Sequence, residues 1–159
     1  MDIFGILKKE HKAVKDQLKK IQDEVNPSAQ FISDIFQQVR RELDYHMMGE
    51  EKYFYPSVEA IPDMTQEIRE AYEEHRLIHI LLGDIDTSAT KDTAILKAKL
   101  KVLSDVIIHH VKEEESVIFK NAKEKLTKDQ IGEITRKYEE EKQKPLSAVL
   151  SGYSPHGTM

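Results

Sequence analysis

The chain of 159 residues contains no cysteine, has few glycines and prolines, and lacks any long apolar run. Without cysteine it cannot form disulfide bonds, thiolate zinc sites or iron–sulfur clusters. No segment approaches the ~18 consecutive apolar residues of a membrane-spanning helix. The start, MDIFGILKKEHKAV, becomes polar too early for the apolar region of a signal peptide. We therefore expect one soluble, cytoplasmic domain without membrane association.

The chain also lacks the excess of basic residues that is typical of nucleic-acid-binding proteins, because its formal net charge is −5 at pH 7. Its lysines alternate with apolar or acidic residues, for example at Lys97, Lys99 and Lys101. Such spacing is typical of solvent-exposed helix faces rather than of a basic patch. We expect no nucleic-acid partner.

Charged residues, in contrast, make up 33% of the chain and are mixed with leucine and isoleucine, a composition typical of helical proteins. Apolar residues recur every three or four positions, as in helices that bury one face. In the first two helices they are Leu7, Val14, Leu18, Ile21 and Val25, and Ile32, Ile35, Val39 and Leu43. Four such stretches with short connections predict an all-α fold: an up-down-up-down four-helix bundle with a short fifth C-terminal helix.

Capping residues and prolines indicate where the later helices begin and end. Asp63 and Thr127 are each followed three residues later by glutamine, a pattern that predicts the starts of the third and fifth helices. Pro145 ends the fifth helix, because proline cannot continue it. The domain is therefore predicted to span residues 1–146, followed by a flexible tail at residues 147–159.

The segment VIIHHVKEEESVIF places histidines and glutamates among residues typical of a core. At about 100° per residue along a helix, His110 and Glu114 lie on the same side as Leu103. His109 and Glu115 fall on the flanks of that side. We therefore expect the first pair to face the core and the second pair to be exposed to solvent.

Seven histidine and glutamate side chains are predicted to lie inside the bundle at one level. They are His11, His46, Glu50, His75, His79, His110 and Glu114. Burying an unpaired carboxylate costs several kcal/mol, so these groups in one dry layer require a compensating charge. Imidazole and carboxylate groups are common metal ligands. The sequence therefore predicts that all seven residues bind metal.

The same pattern occurs twice in the chain. The spacing of 35 residues between His11 and His46 is repeated between His75 and His110, and the surrounding letters EH and HxxxEE recur with an offset of 64 residues. Each helical hairpin therefore supplies one histidine from its first helix and a His-x3-Glu pair from its second. We predict two metal ions, one in each hairpin, bridged by the two glutamates.

The two predicted ion sites differ by one ligand, because the counterpart of His79 in the first hairpin is Lys15. With a solvent-derived bridge, the ion of the second hairpin would have six ligands and the ion of the first hairpin five. The open position on the first ion suits a small molecule such as O2. Lys15 either extends outward, so that Val14 faces the ion, or points inward and favours an anionic ligand.

The ligand pattern resembles the hemerythrin family, in particular its single-domain HHE-type members. It reads His11, His46-x3-Glu50, His75-x3-His79 and His110-x3-Glu114, and the resemblance covers roughly residues 5–145, including HMMGEEKYFYP and LTKDQIGEITRKYEEEK. The resemblance implies two iron ions joined by an oxo or hydroxo bridge, with O2 bound as a hydroperoxide on the five-coordinate iron. The ligand types suit iron or manganese and do not exclude zinc.

Three functions are compatible with such a site. The ligand set, rich in neutral imidazole, favours binding, storage or sensing of O2 or another small diatomic molecule. The alternatives are a di-iron peroxidase or oxidase, and an iron-handling protein. No placed acid or base marks a substrate pocket, so a metal-dependent binding protein is favoured over an enzyme. A sensor would require a protein partner that the sequence does not identify.

Several residues next to the predicted ligands have no single assigned role. Glu51 and Glu115 are interpreted either as outer partners of the ligands or as solvent-exposed side chains. The tyrosines that flank the ligands are Tyr45, Tyr53, Tyr55 and Tyr72. We predict packing for each of them. One near the open ion could donate a hydrogen bond or a radical, and the sequence does not decide which is nearest.

Overall fold

The computed structural model describes residues 1–86 and 91–153, and within these ranges it contains helices and no strand. In chain order the helices are α1 (Ile3–Asp23), α2 (Ala29–Gly49), α3 (Tyr55–Glu59), α4 (Thr65–Asp86), α5 (Thr93–Glu113), α6 (Phe119–Lys125), α7 (Lys128–Lys142) and α8 (Leu146–Leu150). The long helices α1, α2, α4 and α5 form the bundle, and α7 packs against α1 and α2. The predicted all-α, up-down-up-down four-helix bundle is confirmed. A helix with the length and apolar character needed to cross a bilayer is not found among the described residues.

Caps and burial explain the first hairpin. Asp2 caps α1 and Ser28 caps α2, each by accepting a hydrogen bond from a backbone N–H of the first turn. The apolar side of α1 is buried as predicted, with one exception. Val25 is 84% exposed, because α1 ends at Asp23 and the chain leaves the helical path before residue 25. The prediction that Val25 lies on the buried face is wrong.

The start of α4 also differs from the prediction. Asp63 has a φ of 70°, which is a left-handed conformation, whereas the residue that caps a helix start has an extended one. The helix begins at Thr65, whose hydroxyl donates to the backbone carbonyl of Glu59 at 3.4 Å. Asp63 therefore lies in the turn before α4 and does not cap it.

Two of the long helices change their winding at corresponding places. α2 continues into a π-helical turn at Glu50–Phe54, and α5 continues into one at Glu114–Ile118. In each turn a backbone N–H bonds to the carbonyl of the glutamate five residues before it. Tyr55 donates to Glu50 in the first turn, and Phe119 donates to Glu114 in the second. A π turn holds more residues than an α turn. It therefore rotates the face that the following residues present, and Tyr55 and Phe119 both point inward and are buried.

The buried apolar residues form two clusters at opposite ends of the bundle. One contains Phe4, Phe54 and Phe119, and the other contains Leu18 and Leu103. Along their helices, four of the residues singled out from the sequence lie between members of the two clusters: His11, Glu50, His75 and Glu114. The other three, His46, His79 and His110, are flanked by members of the cluster that contains Leu18. The two dry clusters thereby exclude water from the layer between them.

The chain folds back on the bundle after α6, and we refer to residues 126–153 as the C-terminal segment. The capping box predicted at Thr127 and Gln130 is present at the start of α7. The tail predicted from residue 147 begins as part of α8, which packs against α2 with Val149 fully buried. Residues 154–159 of that predicted tail lie outside the described residues.

Candidate metal centre

The bundle brings six of the seven predicted ligands together in the layer between the apolar clusters. Their ligand atoms form a first group, made of His11, His46, Glu50 and Glu114, and a second group, made of His75, His110, Glu50 and Glu114. The atoms of each group lie within 4.8 Å of one another, and all six side chains are buried. Each hairpin supplies one pair of histidines, and the two groups share both glutamates. The sequence repeat predicts this arrangement.

A ring of four outer glutamates surrounds the histidines. Each accepts a hydrogen bond from Nδ1 of a histidine on a neighbouring helix: Glu10 from His46 (2.9 Å), Glu51 from His75 (2.9 Å), Glu74 from His110 (2.8 Å) and Glu115 from His11 (3.1 Å). These glutamates are the remaining acidic letters of the repeated EH and HxxxEE motifs. The repeat therefore positions the outer carboxylates as well as the predicted ligands, and Glu115 contacts His11 rather than pointing only to solvent.

The outer ring determines which nitrogen of each histidine is available to a cation. A carboxylate only accepts hydrogen bonds, so in a neutral imidazole the Nδ1 that faces it carries the proton and Nε2 keeps a lone pair. The Nε2 atoms of His11 and His46 lie 3.0 Å apart, and those of His75 and His110 lie 3.2 Å apart. Two lone pairs at this distance repel each other unless a cation lies between them.

The inner glutamates show the same need for a cation. Both oxygens of Glu50 and Oε1 of Glu114 are buried without a hydrogen-bond donor from any described residue. Oε1 of Glu50 lies 2.9 Å from Nε2 of His46, but this contact is not a hydrogen bond when that Nε2 is unprotonated. An unsatisfied buried acceptor costs about 1–3 kcal/mol, and more when it is charged. Nitrogen and oxygen ligands bound to one metal ion at about 2.1 Å, at right angles, would lie about 3.0 Å apart, which matches the separations in this site.

The layer is strongly acidic without a cation, because six glutamates surround four histidines. Burial acts to lower the pKa of His110, but hydrogen bonds with Glu114 and Glu74 outweigh it and raise that pKa to about 10. Burial acts to raise the pKa of Glu114, but the imidazoles of His11 and His110 beside its two oxygens hold that pKa well below its ordinary value. Protons therefore compensate the charge of the metal-free site, and a metal ion must displace them.

Tyr55 reaches the second group from the end of the first π turn. The sequence predicted packing for it and left open whether it or another flanking tyrosine acts beside an ion. The side chain is fully buried, and its hydroxyl donates to Oε2 of Glu114 and lies 3.1 Å from Nε2 of His75. The equivalent residue 64 positions later is Phe119, whose ring stacks on His11 with a centroid distance of 6.1 Å. The second group therefore has an additional oxygen atom, where the first group has a hydrocarbon ring.

His79 is the one predicted ligand that the structure does not bring into either group. Its Nε2 lies 3.0 Å from the hydroxyl of Tyr153. Burial and the neighbouring His75 lower the pKa of His79 to about 4, so its ring is neutral at pH 7. Tyr153 follows His79 by 74 residues, and no local pattern in the sequence indicates that the two meet.

A cavity of about 20 Å³ lies against the four histidines. Besides the histidines, its lining includes the apolar side chains Val14, Leu43, Met47, Ile78, Ile107 and Val111. The volume is enough for one small molecule. Val14 rather than Lys15 lines this cavity, which decides between the two orientations left open by the sequence. His109 is 65% exposed, as predicted, and contacts Glu74 at 3.2 Å.

The C-terminal segment contacts two of the four outer glutamates, Glu10 through Tyr138 and Glu51 through Tyr153. Tyr138 donates a hydrogen bond to Oε1 of Glu10, and Lys142 contacts the other oxygen of the same carboxylate. The ring of Tyr138 passes so close to Gly49 that a Cβ atom there would overlap it. A side chain at position 49 would therefore displace Tyr138 from the outer ring.

Glu141 attaches the C-terminal segment to the bundle. It is buried, and its oxygens accept hydrogen bonds from Lys52 at 2.6 Å, from Tyr53 at 2.6 Å and from Lys144 at 3.0 Å. Burial acts to raise the pKa of Glu141, but these donors outweigh it and lower the pKa to about 2. The contact keeps α7 in place above α2 and the π turn that follows it.

The fold and the site define a helical bundle protein with two buried groups of histidine and glutamate side chains that could hold metal cations. The sequence matches the family described as Hemerythrin HHE cation binding domain over residues 2–122. The chain belongs to this family, and the resemblance noted in the sequence is confirmed. The match ends before the C-terminal segment, so Tyr138 and Tyr153 lie outside it.

The chain is also similar to a solved structure and to a longer named protein. The crystal structure of a hemerythrin HHE cation-binding domain-containing protein from Mycobacterium kansasii superposes with a TM-score of 0.75 and 22% identity, covering 96% of this chain and 89% of that one. At this identity the likeness shows the fold. A protein from Nostoc sp. named DNA nickase is 25% identical over 146 residues, which are 91% of this chain and 40% of that protein. This chain thus spans less than half the length of that relative.

Proposed function

We propose that the chain binds two iron ions as a bridged pair and takes up O2, or a similar small diatomic molecule, beside them. The observation that carries this proposal is the convergence of four histidine Nε2 atoms on two buried glutamates, three of whose four oxygens have no donor among the described residues. Imidazole and carboxylate ligands without thiolate suit iron, and the same set is compatible with manganese or zinc. Membership in a cation-binding family supports a metal at this place.

The proposed ligands follow the two groups. His11 and His46 would hold the first ion, His75 and His110 the second, and Glu50 and Glu114 both. The second ion would gain a further ligand from the hydroxyl oxygen of Tyr55, with His79 as the alternative if Tyr153 released it. At the first ion Phe119 stands in the equivalent place and offers no ligand atom. The first ion would therefore keep one open position.

The cavity supports a small, apolar molecule as the ligand. Its volume of about 20 Å³ admits one molecule of a few atoms, and Val14, Met47 and Val111 offer it hydrocarbon surface. The protein would hold the ligand residues in place, keep the layer dry and exclude larger molecules. Iron, when bound, would supply the electrons that the diatomic molecule shares.

Binding, storage or sensing is favoured over the turnover of a larger substrate, because the cavity leaves no room for one. A sensor would also require a protein partner. The proposal does not include the DNA nicking in the name of the Nostoc relative, because this chain corresponds to only 40% of that protein.

Metal analysis combined with absorption spectroscopy tests the proposal. Protein grown without added metal, or loaded anaerobically with Fe(II), should contain two iron ions per chain. Aerating the reduced protein should produce a visible charge-transfer band, and removing O2 should abolish the band. The band should not appear in protein loaded with Zn(II), which has the same ligands but no redox chemistry.

Two results would contradict different parts of the proposal. A chain that accepts zinc or manganese but never two iron ions would refute the iron pair. An iron-loaded chain that oxidises rapidly on aeration, without a reversible band, would refute reversible O2 binding and favour the di-iron oxidase or peroxidase alternative.

A further inference from the structure

Tyrosine is the side chain of this protein best suited to lose one electron, because the chain has no cysteine and no tryptophan. Three of its six tyrosines donate a hydrogen bond to an inner or outer glutamate of the candidate metal centre: Tyr55, Tyr138 and Tyr153. Tyr55 lies among the ligands themselves. The other two belong to the C-terminal segment, outside the residues that match the family.

Tyr138 is linked to the first group through a single carboxylate oxygen. Its hydroxyl donates to Oε1 of Glu10, and the same oxygen accepts the Nδ1–H of His46 at 2.9 Å. The tyrosine is fully buried. Lys142 contacts the other oxygen of Glu10 and favours its ionised form. The phenol of Tyr138 therefore has a proton acceptor in place, one residue away from a ligand of the first ion.

Tyr153 is linked to the second group in the same manner. Its hydroxyl lies 3.0 Å from Oε2 of Glu51, and that oxygen lies 2.9 Å from Nδ1 of His75. His79 also contacts the hydroxyl, at 3.0 Å. A phenol has one proton to donate and the carboxylate can only accept, so His79 must be the donor to Tyr153. Each metal group thus has its own tyrosine.

The two links are not a product of the sequence repeat. The outer glutamates on the opposite side, Glu74 and Glu115, contact histidines, and no tyrosine is among their described hydrogen-bond partners. The C-terminal segment therefore adds one tyrosine to each metal group of a centre that is otherwise nearly symmetric.

We infer that Tyr138 and Tyr153 are one-electron donors to the metal centre and that together they reduce one molecule of hydrogen peroxide. In the net reaction one hydrogen peroxide and two tyrosines become two water molecules and two tyrosyl radicals. The O–O bond breaks, and each tyrosine loses one electron. The two phenolic protons, passed first to Glu10 and Glu51, balance the two that the water molecules take up. This inference rests on the iron pair of the proposed function.

Hydrogen peroxide fits both the cavity and the number of donors. It has two heavy atoms, and the cavity beside the histidines holds about 20 Å³. Its reduction to water requires two electrons and two protons, which the two tyrosines supply in equal numbers. An external reductant is therefore not needed for the first turnover.

Freeze-quench EPR spectroscopy tests this inference. Iron-loaded protein in its oxidised form is mixed with one equivalent of hydrogen peroxide, frozen within milliseconds and examined for tyrosyl radicals. We expect nearly two radicals per iron pair in the wild type, about half that yield in Tyr138→Phe or Tyr153→Phe, and almost none from these sites in the double variant. Ring-deuterated tyrosine should narrow the signal and so identify its origin.

Tyr53→Phe is the matched control. Tyr53 also donates to a glutamate, Glu141 at 2.6 Å, but Glu141 is bonded to lysines rather than to a ligand histidine. This variant should give the wild-type radical yield. Iron content and far-UV circular dichroism, measured on every variant, separate loss of the radical from loss of the metal or the fold.

The outcomes distinguish this inference from the proposed function. A chain that holds two iron ions and binds O2 reversibly, but forms no radical with peroxide, would overturn the inference and leave the proposed function intact. An unchanged radical yield in the double variant would also overturn it, and loss of the signal in Tyr55→Phe alone would assign the radical to Tyr55. A chain that does not bind iron would overturn both.

Discussion

The two halves of the bundle carry the same ligands but differ in what surrounds them. Each half supplies two histidines, one inner glutamate and two outer glutamates at an offset of 64 residues. In place of Tyr55 at the second group, the first group has Phe119. The C-terminal segment, which lies outside the repeat, covers only Glu10 and Glu51. The repeat therefore sets the frame of histidines and glutamates. The two groups differ chemically because equivalent positions carry Tyr55 and Phe119, and because the C-terminal segment adds Tyr138 and Tyr153.

The largest effect is expected where both halves depend on one residue. Glu114→Ala removes an inner carboxylate shared by the two groups and leaves the histidines without their buried counter-charge. We expect metal content to fall by more than half and the metal-free protein to lose about 3–5 kcal/mol of stability. Metal analysis and chemical denaturation measure the two effects. Glu113→Ala, the exposed neighbour, is the control, and equal effects from both variants would contradict the assigned helix face.

Removing outer glutamates should separate the halves. Glu115→Ala frees Nδ1 of His11 in the first group, and Glu51→Ala frees Nδ1 of His75 in the second. Outer partners of this type typically change metal affinity by about 10–100-fold. We expect a loss of that size, confined to one ion in each variant, in competition titrations with a chelator. A loss at both ions in either variant would mean that the two groups do not bind independently.

Exchanging the aromatic residues at the two equivalent positions tests whether Tyr55 and Phe119 cause the difference between the two groups. Tyr55→Phe makes the second group resemble the first, and nitric oxide bound per iron pair should rise from one to two. Phe119→Tyr makes the first group resemble the second and should lower nitric oxide affinity at least tenfold. Tyr55→Phe should also cost about 1–3 kcal/mol, because Oε2 of Glu114 loses its donor. An unchanged nitric oxide ratio in Tyr55→Phe would show that His79 or another group fills that position.

The smallest expected effect concerns the C-terminal segment, which covers one side of the site. The pKa of Glu141 is lowered to about 2, against about 4.3 in an unfolded chain. A lowered folded-state pKa stabilises the protein above the unfolded value, and the gain is lost as pH falls through about 4.3 toward 2. Denaturation of wild type and Glu141→Gln should differ by about 1–2 kcal/mol at pH 6, since lysine pairs near solvent are screened. The difference should shrink steadily toward pH 2, and a constant difference would contradict the assigned pKa.

Much of the site could be predicted from sequence because a helix converts spacing into direction. A step of 3.6 residues places His46 and Glu50, and likewise His110 and Glu114, on one face of a helix. The repeat then brings the two pairs to the same level, and six of the seven predicted ligands meet there. The outer glutamates belong to the same motifs, but helix spacing alone leaves open whether they contact the histidines or extend into solvent.

Prediction fails where the helix departs from this spacing. Beyond Glu50 and Glu114 the π turns change the angle per residue, so a regular period does not show that Tyr55 and Phe119 point inward. Val25 and Asp63 fail for a related reason, because the chain leaves the helical conformation at one and has not yet entered it at the other.

The sequence by itself determined the helical bundle, the repeated ligand motifs and their arrangement in two groups, because periodicity and spacing are local properties of a helix. Only the tertiary structure decided that Tyr55 contacts the second group, that Nε2 of His79 hydrogen-bonds to Tyr153, and that Tyr138 hydrogen-bonds to Glu10. These contacts join residues between 20 and 128 positions apart. They depend on how whole helices pack, which no local pattern of residues specifies.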